Sequence, residues 1–279
     1  MRHISILMLF WLFGMIPGGP LHAAGEIIDG KVSTFLVGKY LTKAQAQTAL
    51  ESQGFSLLSA EKVDKKGELT TLVFTSPALT RLADKPGRGF AAVLRLLVNG
   101  IDKEIAITNP LYFLKAYLQD DFDEAAATRL LEQINAAFPN LKNGKDALEF
   151  TKLPKYHFMV GMPYYGDTIT VGKGEHRTLL EKAQAYRKGK NILFTLKLDD
   201  QTALLGYTIG KRTAKFVKKI GTHNAAVLPY VILIEKETAR ILDPKYYLAL
   251  NYPSLSMSEF MTIATVPGAI EKDCKKPFK

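Results

Sequence analysis

Apolar and polar positions alternate along the chain in a way that predicts its elements one by one. In the first half, residues 32–40 read as a strand, and Thr42-Lys43-Ala44-Gln45 is a capping box opening a helix that ends at Gly54. Residues 55–63 and 69–75 form a hairpin pattern across Lys65-Lys66-Gly67, and Ser76-Pro77 starts a short helix through Ala83. Residues 90–98 are a strand-like apolar run. Asn99-Gly100 has the signature of a tight turn, residues 104–108 return as a strand, and Asn109-Pro110 opens a helix. A further helix is predicted over 123–137. In the second half the pattern predicts a strand over 156–162, an insertion over 164–174 and a helix over 175–187. Strands over 191–198 and 203–208 follow, then a helix over 211–219. Strands over 227–234 and 239–242 flank a turn at 235–237, and Asp243-Pro244 opens the next helix. Each half reads as β-α-β-β-α-β-β-α, which predicts an α+β fold with a mainly antiparallel sheet covered by helices.

The two halves also resemble each other directly. A shift of 134 residues lays Ala91-Ala92-Val93-Leu94 on Ala225-Ala226-Val227-Leu228 and Gly87 on Gly221. It also lays Ile107, Pro110, Tyr112 and Leu114 on Ile241, Pro244, Tyr246 and Leu248. Residues 91–118 hold eight identities in twenty-eight with their counterparts, and they fall at strand and helix boundaries. Such spacing predicts two tandem copies of one small domain, residues 26–140 and 150–279, joined by a polar, turn-rich linker over 139–145. The copies are expected to pair as an internal pseudo-dimer. The capping role of Asn109 and Asp243 accounts for both X-Pro pairs without any functional role.

Three segments carry a family resemblance: Leu72-Val73-Phe74-Thr75-Ser76-Pro77, Ala91-Ala92-Val93-Leu94 and Asn109-Pro110-Leu111-Tyr112-Phe113-Leu114. Together with Gly54-Phe55 they resemble the DUF302 family of small bacterial and archaeal α+β domains. The second copy is similar through Leu228-Pro229 and Asp243-Pro244-Lys245-Tyr246-Tyr247-Leu248, although it lacks the Pro that starts the short helix; the first copy has Leu94-Arg95 at the Leu-Pro site. The resemblance implies a fold and a tendency of domains to pair. It implies no catalytic residues.

Compartment is read from the start of the chain. Arg2, an apolar run over 4–16, the breaker Pro17-Gly18-Gly19-Pro20 and the small pair Ala23-Ala24 predict a cleaved signal peptide over residues 1–24. The expected location is periplasmic or secreted, with no transmembrane helix in the mature chain. Cys274 is the only cysteine, which excludes an intramolecular disulfide, a four-thiolate zinc site and a CxxC redox centre. It stands in a charged tail, residues 271–276, whose lysines would favour the thiolate.

No P-loop, GxSxG, HExxH or dinucleotide-binding fingerprint is present. Gly172-Lys173-Gly174 offers at most a loop for an anion. The acidic run Asp120-Asp121-Phe122-Asp123-Glu124 fits a helix N-terminus. His157 and Met159 would share one face of the 156–162 strand, a soft donor pair suited to copper or haem iron. His223 has no histidine counterpart, since Gly89 stands at the equivalent position.

Charge separates the halves. Residues 25–140 carry 13 basic and 14 acidic side chains, and residues 141–279 carry 23 and 13. Lys211, Lys215, Lys218 and Lys219 would line one face of their helix with Arg212 beside them, and Thr213, Phe216, Val217 and Ile220 would line the other. These five cations are the candidate binding residues. The function expected is that of an exported, non-enzymatic binding protein for an unidentified small ligand, an anionic protein or a lipid headgroup. Nucleic acid is disfavoured by export. The alternatives are a metal- or haem-binding accessory protein using His157 and Met159, or an enzyme with its site between the copies. No particular cofactor is implied.

Overall fold

A computed structural model of the protein describes residues 23–279. Residues 1–22 of the expected signal peptide lie outside the described ones, and Ala23 and Ala24 lie inside them. The fold is mixed α+β with antiparallel sheets.

The first half contains β1 (Lys31–Ser33), β2 (Phe35–Lys39), α1 (Lys43–Ser52), β3 (Ser56–Lys62), β4 (Leu69–Thr75) and α2 (Pro77–Ala83). A 3₁₀ turn over Gly89–Ala92 leads into β5 (Leu94–Asn99), β6 (Glu104–Thr108), α3 (Pro110–Leu118) and α4 (Glu124–Ala137). Two short strands, β7 (Lys142–Asn143) and β8 (Ala147–Glu149), lead to the second half. It contains β9 (Ile169–Lys173), α5 (His176–Ala185), β10 (Ile192–Lys197), β11 (Thr202–Tyr207), α6 (Lys211–Ala214) and α7 (Val217–Ile220). A 3₁₀ turn over Thr222–Val227 precedes β12 (Tyr230–Glu235), β13 (Thr238–Ile241), α8 (Pro244–Asn251), α9 (Met257–Thr262) and α10 (Val266–Lys275).

One sheet has the order β3-β4-β5-β6-β2-β7 and the other β10-β11-β12-β13-β9; β1 and β8 form a separate ribbon. Taken in chain order, the two five-strand arrangements are the same. In each, the strand before the first helix returns beside the last strand of the hairpin that follows the 3₁₀ turn. The local signals at these boundaries work as expected. Thr42 and Gln45 form the capping box, Ser76 caps α2, Asn109 caps α3 and Asp243 caps α8. The paired glycines at 87 and 221 have φ of 73° and 97°, a left-handed conformation that explains why glycine stands at both.

Several boundaries differ from the pattern. Residues 156–162 are not a strand but a turn-containing loop. The first strand of the second half is instead β9, inside the segment expected to be an insertion. The apolar run at 90 begins as a 3₁₀ turn, because four small or apolar residues are buried on all sides there. The turn after Asn99 is longer than two residues, and the Asn99 side-chain oxygen accepts from the amides of Ile101 and Asp102. The linker adds β7 to the sheet edge through pairing with β2. The helix expected over 211–219 is broken into α6 and α7 at Lys215-Phe216.

The halves pack directly on each other. The 3₁₀ turn of the first half lies against β11 and β12, that of the second lies against β4, β5 and β6, and β3 lies beside β10. Two reciprocal bonds lock this arrangement. Glu235, at the end of β12, accepts from the Gly87 amide at 2.7 Å; Asp102, in the turn after β5, accepts from the Thr222 hydroxyl. Arg95 Nη2 donates to the carbonyl of Pro229, its own counterpart under the 134-residue shift, at 3.3 Å. Around it the Tyr112 hydroxyl donates to Leu250 O at 2.7 Å, and Tyr165 donates to Gly87 O at 2.6 Å.

Candidate functional site

The seam between the halves opens beside β3 into a cavity of about 450 Å³, large enough for a small organic ligand. Its floor is apolar, formed by Val63, Leu69, Ile209, Val217 and Leu228. Lys62 and Lys65 rim it from the first half, and Lys211, Lys215 and Lys218 from the second. All five lysines are exposed, and none has an ion pair among the described residues.

Each side of this rim is fixed by a local device. On the second half, Phe216, Val217 and Ile220 are buried, which turns Lys211, Lys215 and Lys218 outward. Asp273 of α10 holds the start of α6, accepting from the Gly210 amide at 2.9 Å and the Thr213 hydroxyl at 2.7 Å. Burial alone would raise the Asp273 pKa, but these bonds and the Lys276 ammonium together hold it below the usual carboxylate range. On the first half, the Asp64 carboxylate accepts from the amides of Lys66 and Leu69 and shapes the hairpin that carries Lys62 and Lys65. Glu61 spans the seam by accepting from the Thr208 hydroxyl at 3.2 Å. Its pKa is raised by burial, an effect the Thr208 bond partly opposes. Five ammonium groups against Glu61 and Asp64 leave the cavity net positive.

The sequence-derived candidates are divided by this geometry. Lys211, Lys215 and Lys218 meet in the cavity. Arg212 is exposed outside its lining, and Lys219 turns away to donate to Thr262 O at 3.0 Å. Lys62, Lys65 and Glu61 were not legible as site residues, because nothing local to Glu61-Lys62 says that it faces residues 211–218. The Lys-Lys-Gly turn was the only signal, and it marks a hairpin rather than a site.

The soft-donor pair does not survive as a strand face. His157 and Met159 lie in a loop, where His157 Nδ1 is 2.8 Å from the carbonyl of Met159 and the imidazole packs on Tyr164 with ring centroids 4.4 Å apart. No group of three or more His, Cys, Asp or Glu side chains among the described residues is placed to hold a metal ion. Gly172 and Lys173 belong to β9, paired with Ala239 and Thr238, so they do not form an anion loop. The acidic run is structural: Asp121 binds Lys85 and Arg88, and Asp123 caps α4. Cys274 is buried in α10 rather than exposed in a tail, and burial raises its thiol pKa, the reverse of activation.

A second cavity of about 830 Å³ lies at the other side of the seam, between β2, β6 and the turn carrying His223. It brings Asp102, Glu104 and His223 together with Lys142 and Lys145. Bonds from Thr222 and Asn99 lower the Asp102 pKa, and burial followed by the Asp102 charge raises that of Glu104. A side chain at Gly89 matching His223 would press on the buried Leu233 side chain, which would have to shift.

Comparison of the chain with protein-family models, with curated proteins and with solved structures finds no match. The fold class therefore stands on the structure, and the reading of the site stands on its chemistry.

Proposed function

We propose that this is an exported, non-enzymatic binding protein built from two DUF302-like domains, residues 26–140 and 150–279, paired as an internal pseudo-dimer. Its ligand is a small organic anion that pairs a charged end with an apolar body. One observation carries the reading: five lysines from both halves, none ion-paired among the described residues, converge on a single cavity with an apolar floor. Solvated lysines on a basic protein have no reason to converge in this way, whereas a ligand with two or more negative charges would bridge the two rims. The equal strand order of the sheets and the reciprocal Gly87–Glu235 and Thr222–Asp102 bonds support the pairing of related domains.

The experiment is a calorimetric titration with 1,3-benzenedisulfonate, a rigid dianion with an apolar ring whose charge does not vary with pH. Binding that weakens as salt rises is expected. The Lys211→Glu/Lys215→Glu/Lys218→Glu variant should lose it with little change in melting temperature, since all three side chains are exposed. Equal binding by parent and variant would overturn the reading.

A further inference from the structure

Large apolar side chains are exposed at seven places among the described residues, and five of them gather in two segments. Met159, Val160 and Tyr164 stand on the loop 156–164, and Met257 and Met261 stand one helical turn apart on α9. The segments are joined by a stack of Phe158 on Phe260, with ring centroids 5.4 Å apart. Val160 is 95% exposed at the tip. Clustered exposure of this kind marks an interaction surface, whereas scattered apolar residues do not.

We propose that this tip docks the protein on an anionic lipid bilayer. A side chain that is almost wholly exposed has no neighbours with which to form a shape-complementary wall. It fits a medium that deforms around it, as the boundary between headgroups and acyl chains does. Methionine is suited to the same medium, being flexible and polarisable. The charges beside the tip fit an anionic surface. Lys219 is tied to the end of α9 through Thr262 O, and Lys155 is exposed just before the loop. The nearby acids are engaged locally: Glu259 caps its own helix through Ser256, and Asp167 accepts from the Tyr164 amide. Lysines above the surface and apolar side chains below it is the arrangement of a peripheral membrane contact. The site is separate from the lysine cavity, although α7 connects the two.

The test uses vesicles of equimolar phosphatidylcholine and phosphatidylglycerol and an environment-sensitive thiol probe on the full chain. Cys274 is buried and does not compete for the label. A probe on the Val160→Cys variant should shift to the blue and become protected from aqueous quencher when vesicles are added; a probe on the Glu132→Cys variant, at an exposed position of α4, should not. The Val160→Asp/Met261→Asp variant should sediment with these vesicles on the order of tenfold less than the parent. A water-like probe at position 160 on vesicle-bound protein, or equal sedimentation of parent and double variant, overturns the proposal. So does protection of the tip by a protein partner with no vesicle response. Lys62→Glu/Lys65→Glu should abolish binding of the disulfonate and leave the vesicle response intact, so that either reading can fail without the other.

Discussion

Glu61 is the residue at which fold and site make opposing demands. Its carboxylate bridges the halves through Thr208, yet it lies half-buried on the edge of a cavity rimmed by five lysines. Burial raises its pKa above that of a free carboxylate, so the folded protein holds the Glu61 proton more tightly than the unfolded chain does. Glu61 costs stability progressively as pH rises from the ordinary carboxylate range through its raised folded value, and the cost is complete above it. The same proton removes a negative charge from the cavity. Disulfonate affinity is therefore expected to strengthen as pH falls through that window. Glu61→Gln should bind more tightly at neutral pH and lose the pH dependence in calorimetric titrations. A Glu61→Gln variant with unchanged affinity and an unchanged pH profile would show that this carboxylate does not face the ligand.

Among the elements, the two X-Pro helix starts show how much of the fold was legible and where legibility ended. Asn109 and Asp243 both cap as their residue types require, and the helices begin where expected. Their further partners depend on distant segments. Asn109 is fully buried, and its amide also donates to Gly25 O and Ser33 O; the Asp243 carboxylate accepts from the local amides of Lys245 and Tyr246. Asn109→Ala should therefore cost about 2–4 kcal/mol, the sum of a lost cap and two buried carbonyls left without a donor. Asp243→Ala should cost about 1 kcal/mol. Denaturant unfolding of the two variants checks the order, and equal losses would contradict it. The errors have related causes. Residues 156–162 mix apolar and polar positions as a strand would, but their apolar side chains include the exposed Met159 and Val160, and the segment joins neither sheet. The actual strand β9 is short and mostly half-exposed, so its pattern is faint. The basic segment buries Phe216, Val217 and Ile220 as its pattern predicts, but Lys219 turns away to Thr262 O and the helix is broken in two, because periodicity does not register a break between two single turns.

At the scale of the whole molecule, the two sheets share one strand order, and the resemblance between the halves in sequence did not say where they would meet. That contact places β3 beside β10 and the turn of each half on the sheet of the other. It turns two unrelated lysine groups into one rim. A charge run read along the chain shows only a cationic helix face; the facing hairpin, about 150 positions away, comes from the tertiary packing alone. If the pairing assembles the site, lysines of the first half matter as much as those of the second, although the first half carries no excess of positive charge. The most direct measurement is a calorimetric titration of 1,3-benzenedisulfonate into the Lys62→Glu/Lys65→Glu variant, alongside the parent and the Lys211→Glu/Lys215→Glu/Lys218→Glu variant. The account predicts that reversing either rim alone abolishes binding. Undiminished binding after reversal of Lys62 and Lys65 would contradict a ligand site shared between the two halves.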